Sequence, residues 1–177
     1  CQEYGIFCII DEAYVDYIPS EHSAIHLVPE FEHLIVTRSF SKGMGMAALR
    51  IGYTAAQPHI TSVIRQLTLP YSIATPSLYI AQHILATIDM KEYLHQSALF
   101  SAQSKHELIS ACTTAGFQIA TTHPNVPLFV VSHPSESPYD YFQKLQVITT
   151  PGYSYNLGKN ATIPAFARLR VPDSDRE

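Results

Sequence analysis

The chain has 177 residues, 46% of them hydrophobic, with a net charge of -4 and a pI near 6.1, an ordinary globular composition long enough for a sizeable core. Its 11 Lys plus Arg are mostly single, so there is no basic stripe to attract nucleic acid or anionic lipid. No apolar run approaches the roughly 20 residues of a membrane helix, and no charged n-region with a following apolar h-region opens the sequence.

The first element is the run Ile6-Phe7-Cys8-Ile9-Ile10. It lacks polar alternation and is expected to be a strand buried on both faces, as in a parallel sheet covered by helices. It ends at Asp11. His33-Leu34-Ile35-Val36-Thr37 forms a second strand, which leads into the small and polar Ser39-Phe40-Ser41-Lys42-Gly43-Met44-Gly45. Ile51 to Ala55 resumes as a third. Ile60, Val63, Ile64 and Leu67 recur at helical spacing, as do Leu78, Ala81, Ile84, Leu85 and Ile88. Asp89 caps a long helix of about residues 89–115 that stops near Gly116, a residue suited to a left-handed C-terminal cap. Strands are then expected at Phe117 to Ala120, Leu128 to Ser132, Val147 to Thr149 and Phe166 to Val171, with a helix from Tyr139 to Leu145. Pro127, at the start of one of these strands, suggests an edge or a bulge. The expected domains are 1–88 and 89–177, helices around a sheet followed by a smaller α+β lobe.

Three constellations carry chemistry. Asp11-Glu12-Ala13-Tyr14 stands at the carboxyl end of the first strand, where open α/β sheets place their ligands. An acid there serves as a metal ligand, a general base or the partner of a cationic ring; the alternative is a helix-capping Asp beside a core Tyr. The second is Ser39-Phe40-Ser41-Lys42 with Leu49-Arg50-Ile51-Gly52-Tyr53. Ser39 and Arg50 supply hydroxyl and guanidinium donors of the kind that phosphate recognition requires. A lysine embedded in apolar surroundings loses its ammonium form more easily, and Lys42 could then attack a carbonyl to form an imine; the alternative is a solvated loop lysine. The third is Pro151-Gly152 with Arg168-Leu169-Arg170 on a late strand. Alternation puts both arginines on one face, to meet an anion or water.

Together these motifs resemble the fold-type-I pyridoxal phosphate enzymes, within them the class I/II aminotransferases, and especially the histidinol-phosphate aminotransferase group. Asp11-Glu12-Ala13-Tyr14, Ser39-Phe40-Ser41-Lys42 and Leu49-Arg50-Ile51-Gly52-Tyr53 match that family in order, and eight positions separate Lys42 from Arg50 as its pattern has it. The resemblance implies an α/β fold: the carboxy-terminal part of a large, mainly parallel-sheet domain with a smaller α+β domain after it. It implies pyridoxal 5'-phosphate as cofactor and amino-group transfer between an amino acid, or an amine such as histidinol phosphate, and a 2-oxo acid. Lys42 is then the internal-aldimine lysine, Asp11 the partner of the pyridine nitrogen and Tyr14 the partner of the ring hydroxyl. Ser39, Ser41 and Arg50 hold the phosphate, and Arg168 grips the substrate carboxylate, with Arg170 its rival. A homodimer is implied as well, with Tyr71 facing the partner. Decarboxylation or elimination at the same cofactor is the nearest alternative activity. The family's amino-terminal half contributes a phosphate loop, a ring-stacking aromatic and an Asn that do not precede Cys1, so a non-catalytic fragment is the other alternative. Ala48 stands where the family commonly has Gly.

The remaining residues read as ordinary. Cys1, Cys8 and Cys112 lack metal-type spacing and suggest free thiols in a reducing compartment, the cytoplasm. His22 and His26 share a four-residue spacing, but Pro19 and Pro29 bracket them and no metal is expected. Asn160-Ala161-Thr162 is formally a sequon, read as chance. Tyr71, Tyr79, Tyr139, Tyr153 and Tyr155 are read as packing or interface residues.

Overall fold

The computed structural model describes residues 1–152 and 165–172; the sequon, Tyr153 and Tyr155 lie outside these. The chain divides into two compact units, Cys1–His95 and Gln96–Glu177.

The first unit holds a three-stranded sheet of β1 (Cys8–Asp11), β2 (Leu34–Ser39) and β3 (Gly52–Ala56), in the order β1-β2-β3. β1 and β2 are parallel, with Asp11 opposite Thr37, and the Glu12 amide extends the ladder by donating to the Thr37 carbonyl at 2.8 Å. Their crossover is made of three short 3-10 turns, Val15–Tyr17, Ser20–His22 and Ala24–Leu27. β3 returns antiparallel to β2, because the segment between them is a loop closed by a hydrogen bond from the Phe40 amide to the Ile51 carbonyl (3.1 Å).

Burial of the first strand on both faces is not observed. Ile6 and Phe7 precede β1 and are exposed, and Ile9 is 66% exposed while Cys8 and Ile10 are half-buried. Alternation sends Ile9 to the opposite face from its neighbours, and that face is open.

The helical periodicities appear as α1 (Pro58–Leu67) and α2 (Thr75–Thr87), each with Pro in its first turn, where a missing N–H costs nothing. Ile60 and Ala81 are buried; Val63, Leu67, Leu78, Leu85 and Ile88 are exposed. The spacing therefore located both helices without telling how much of each apolar face is covered. α3 (Met90–Thr114) is bounded as its ends dictate. Asp89 Oδ1 accepts the Glu92 amide at 3.1 Å. Gly116, at φ +89°, lets the Phe117 amide reach the Cys112 carbonyl and its own amide reach that of Thr113, both at 3.0 Å.

The second unit contains β4 (Gln118–Ile119), β5 (Leu128–Ser132), α4 (Pro138–Lys144), β6 (Thr150–Pro151) and β7 (Phe166–Arg170), with an antiparallel sheet in the order β4-β5-β7-β6. The strand expected over Val147 to Thr149 lies slightly later, as β6. Its edge position suits Pro151, which has no ladder donor to give. Phe117, Phe129, Val131, Phe142, Ala167, Leu169 and Val171 form the core with Cys112, and Phe117 stacks on Phe142 at 5.3 Å. The expected edge or bulge at Pro127 is not what forms. β5 is an interior strand, and Pro127 stands just before it, where its carbonyl accepts the Val171 amide at 3.0 Å.

Candidate active site

The loop joining β2 to β3 is shaped by its own backbone and anchored by its apolar residues. The Gly45 amide donates to the Lys42 carbonyl and the Met46 amide to that of Phe40, each at 2.9 Å. Met46 and Ile51 are buried with Ala81 of α2, and Phe40, Met44, Leu49 and Ile84 pack around them. Burying these groups leaves the polar members of the loop on its outside. Ser39 Oγ accepts the Ser41 amide at 3.0 Å. The exposed Arg50 donates from Nη1 to the Ala47 carbonyl at 3.0 Å and to Ser41 Oγ at 3.4 Å. Arg50 does so from a left-handed backbone, φ 56° and ψ 44°. A non-glycine residue there costs of order 1 kcal/mol or more, a strain that collects at functional sites.

Lys42 is exposed, so the apolar surroundings considered from the sequence are absent and the solvated alternative is what forms. Its Nζ instead lies over the Tyr14 ring, 5.5 Å from the centroid, within cation–π range. The residue after it must be glycine: a Cβ on Gly43 would collide with the Asp16 Cβ and come within 2.9 Å of its carboxylate. Asp11, exposed at the end of β1, accepts the Ala13 amide through Oδ1 at 2.9 Å, which turns the chain toward Tyr14. Burial pushes the Asp16 carboxyl up, against the lowering field of Arg38.

Asp11, Tyr14, Ser39, Ser41, Lys42 and Arg50 thus gather where two adjacent parallel strands end. Arg168 belongs to the second unit. Ala167 and Leu169 are buried, so Arg168 and Arg170 share the other face of β7 as alternation requires, and Arg168 Nη2 donates to Thr150 Oγ1 at 3.5 Å. Tyr71 is 98% exposed with φ 60°.

Two polar clusters escaped the sequence reading. Glu12, 8% exposed, accepts from Ser23 Oγ (2.7 Å), the Ala24 amide (2.6 Å) and Arg38 Nε (3.0 Å). Arg38 also donates to Ser23 Oγ (2.6 Å) and the Tyr53 hydroxyl (3.2 Å). Desolvation works against the Arg38 cation, but Tyr53 and Glu12 outweigh it and its pKa is raised. In the second unit Lys105 is 2% exposed and donates from Nζ to Thr122 Oγ1 (2.7 Å) and to the carbonyls of His123 (2.7 Å) and Val126 (3.0 Å). Burial pushes its ammonium down to about 8. Its position on the stripe Ser101, Lys105, Leu108, Cys112 was a readable signal.

Among the described residues no three His, Cys, Asp or Glu side chains are grouped to hold a metal, and no helix is long and apolar enough to cross a membrane. The cysteines are free thiols, with Cys1 exposed and Cys112 buried.

The chain matches the family model for aminotransferase class I and II over residues 1–177. It is 29% identical over 154 residues to histidinol-phosphate aminotransferase 1 of Idiomarina loihiensis, covering 86% of this chain and 41% of that protein. The crystal structure of the histidinol-phosphate aminotransferase from Clostridium acetobutylicum shares the fold, with a TM-score of 0.79 at 19% identity over 98% of this chain and 51% of that one. So does that from Sinorhizobium meliloti in complex with pyridoxal-5'-phosphate, with a TM-score of 0.72 at 22% identity over 94% and 45%. The chain spans about half the length, or less, of these relatives. A match along its whole length makes this chain a member of the class I and II aminotransferase family.

Proposed function

We propose that the protein carrying this chain transfers an amino group between an amino acid, or an amino acid-derived amine such as histidinol phosphate, and a 2-oxo acid, with pyridoxal 5'-phosphate held by Lys42. The observation that carries the reading is the arrangement of the Lys42 amine over Tyr14 beside the Ser39, Ser41 and Arg50 donors. The donor set fits the cofactor: a guanidinium and two hydroxyls for a phosphate, a primary amine for an aldehyde, and a carboxylate for a ring nitrogen.

When bound, pyridoxal phosphate supplies a ring that accepts the electrons left as a substrate Cα loses its proton. Ser39, Ser41 and Arg50 anchor the phosphate by charge-assisted hydrogen bonds. Asp11 would pair with the ring nitrogen and favour its protonated form, and the Tyr14 hydroxyl would hydrogen-bond the ring oxygen. Lys42 would hold the cofactor covalently and, once the substrate's amino group had displaced its amine, would be free to take the Cα proton and return it. Arg168, with Arg170 as the rival, would bind the substrate carboxylate and so orient the substrate's Cα bonds. Residues 1–88 form the end of the large cofactor-binding domain and 89–177 the small domain. The protein acts as a homodimer in the cytoplasm.

The reading is tested by incubating the full-length protein with histidinol phosphate and 2-oxoglutarate. Glutamate formation without gas release is the expected result; carbon dioxide release without oxo-acid formation would place the reaction among decarboxylations instead.

A further inference from the structure

Glu12 and Arg38 lie on the opposite side of the sheet from Asp11 and Ser39, two of the residues proposed to meet the cofactor. Along β1 and β2 side chains alternate. The register pairs Asp11 with Thr37, which puts Asp11, Thr37 and Ser39 on one face. Glu12 follows Asp11, Arg38 precedes Ser39, and these two meet on the other face at 3.0 Å. The pair sits where the β1–β2 ladder runs out: after the bond from the Glu12 amide to Thr37, β1 turns away toward Tyr14.

The same carboxylate gathers the return segment through Ser23 and the Ala24 amide, and the same guanidinium reaches Tyr53 on β3. Asp16, whose Cβ is the obstacle at Gly43, feels the Arg38 charge. One pair therefore touches β1, the crossover, β2 and β3, and its field reaches the residue that abuts the lysine loop. A largely desolvated ion pair is a poor source of net stability, since apolar residues of similar size often do as well. A role in fixing the register of the elements it joins is the better attested use of such a pair.

We infer that Glu12 and Arg38 are positioning residues: their ion pair locks the ends of β1 and β2 so that Asp11 and Tyr14 keep a fixed place relative to Ser39 and Lys42. The inference rests on the cofactor reading above. A lock of this kind acts on the geometry of the cofactor's ligands, not on the stability of the fold, and the two effects separate experimentally.

In the full-length protein, Glu12→Ala or Arg38→Ala strands a charge and lowers both the melting temperature and the affinity for pyridoxal phosphate. The double replacement Glu12→Leu with Arg38→Met removes both charges. It is expected to recover most of the melting temperature, yet to leave cofactor affinity about tenfold weaker and the absorbance band of the lysine-bound cofactor shifted in its pH midpoint, as loss of a ligand-orienting shell does. Tyr53→Phe, which deletes one bond at an exposed hydroxyl, is expected to move the same midpoint by less. A double variant with the parent's affinity and spectrum overturns the inference while the cofactor reading stands. If the double variant does not fold, an unchanged midpoint in Tyr53→Phe overturns it. Failure of the parent to form any borohydride-trapped adduct on Lys42 overturns both.

Discussion

Replacing Lys105 by Met tests how the second unit tolerates a buried cation. The substitution keeps the unbranched stem, one atom shorter, but removes the ammonium donor from Thr122 Oγ1 and from the carbonyls of His123 and Val126, of which Val126 keeps the Leu128 amide at 2.7 Å. Hydrogen bonds from a charged group are worth about 1.5–3 kcal/mol each and are not additive, so near neutral pH the variant is expected to lose roughly 3 kcal/mol of stability. The pH dependence carries a definite sign. The folded-state value of about 8 lies below the ordinary 10.5. Between these pH values the unfolded chain therefore binds more protons at this site than the folded one, and stability rises with pH. At about 1.4 kcal/mol per pH unit the rise is roughly 3 kcal/mol across that window. Urea unfolding of parent and variant from pH 7 to 10.5 measures it, and taking their difference cancels groups common to both, Cys112 among them. The parent's advantage should widen as the pH rises. A difference that shrinks instead would show that the three acceptors hold the ammonium more strongly than burial opposes it, and would refute the reasoning.

Arg50→Gly separates backbone from side chain: glycine accepts the left-handed conformation freely, so the melting temperature should hold or rise while pyridoxal phosphate binds at least about tenfold more weakly for want of the guanidinium, as absorbance titration would show. Gly43→Ala drives a Cβ into Asp16 and must shift the lysine loop, so borohydride trapping at Lys42 should slow markedly with little change in far-ultraviolet circular dichroism. Phe129, with no exposed surface at the centre of the second core, should cost about 3–5 kcal/mol on truncation to Ala, read by denaturant unfolding; a loss below 1 kcal/mol would mean that core is not packed as described.

The parts of the fold legible in the sequence were those fixed by local chemistry. Asp89 and Gly116 bounded α3 because a cap is a bond between a side chain or a left-handed residue and the adjacent turn. The lysine loop was legible because its hydroxyls, its guanidinium and its primary amine stand close together in the chain. The antiparallel return of β3 beside the parallel pair was not, since the side-chain period is the same whether a partner runs parallel or antiparallel. The exposure of Ile9 and Lys42 depends on what packs over a face, which periodicity does not encode. The Glu12–Arg38 pair and the three acceptors of Lys105 stayed hidden because such contacts link residues far apart in the chain, although the burial of Lys105 itself was readable from its place on the stripe of α3.

Lys42 is the residue on which the proposed chemistry depends most directly. Full-length protein incubated with pyridoxal phosphate, reduced with borohydride, digested and mapped should carry the reduced adduct on Lys42, and Lys42→Ala should carry none. An adduct on Lys91, Lys105, Lys144 or Lys159 in its place, or one undiminished in Lys42→Ala, would contradict this assignment.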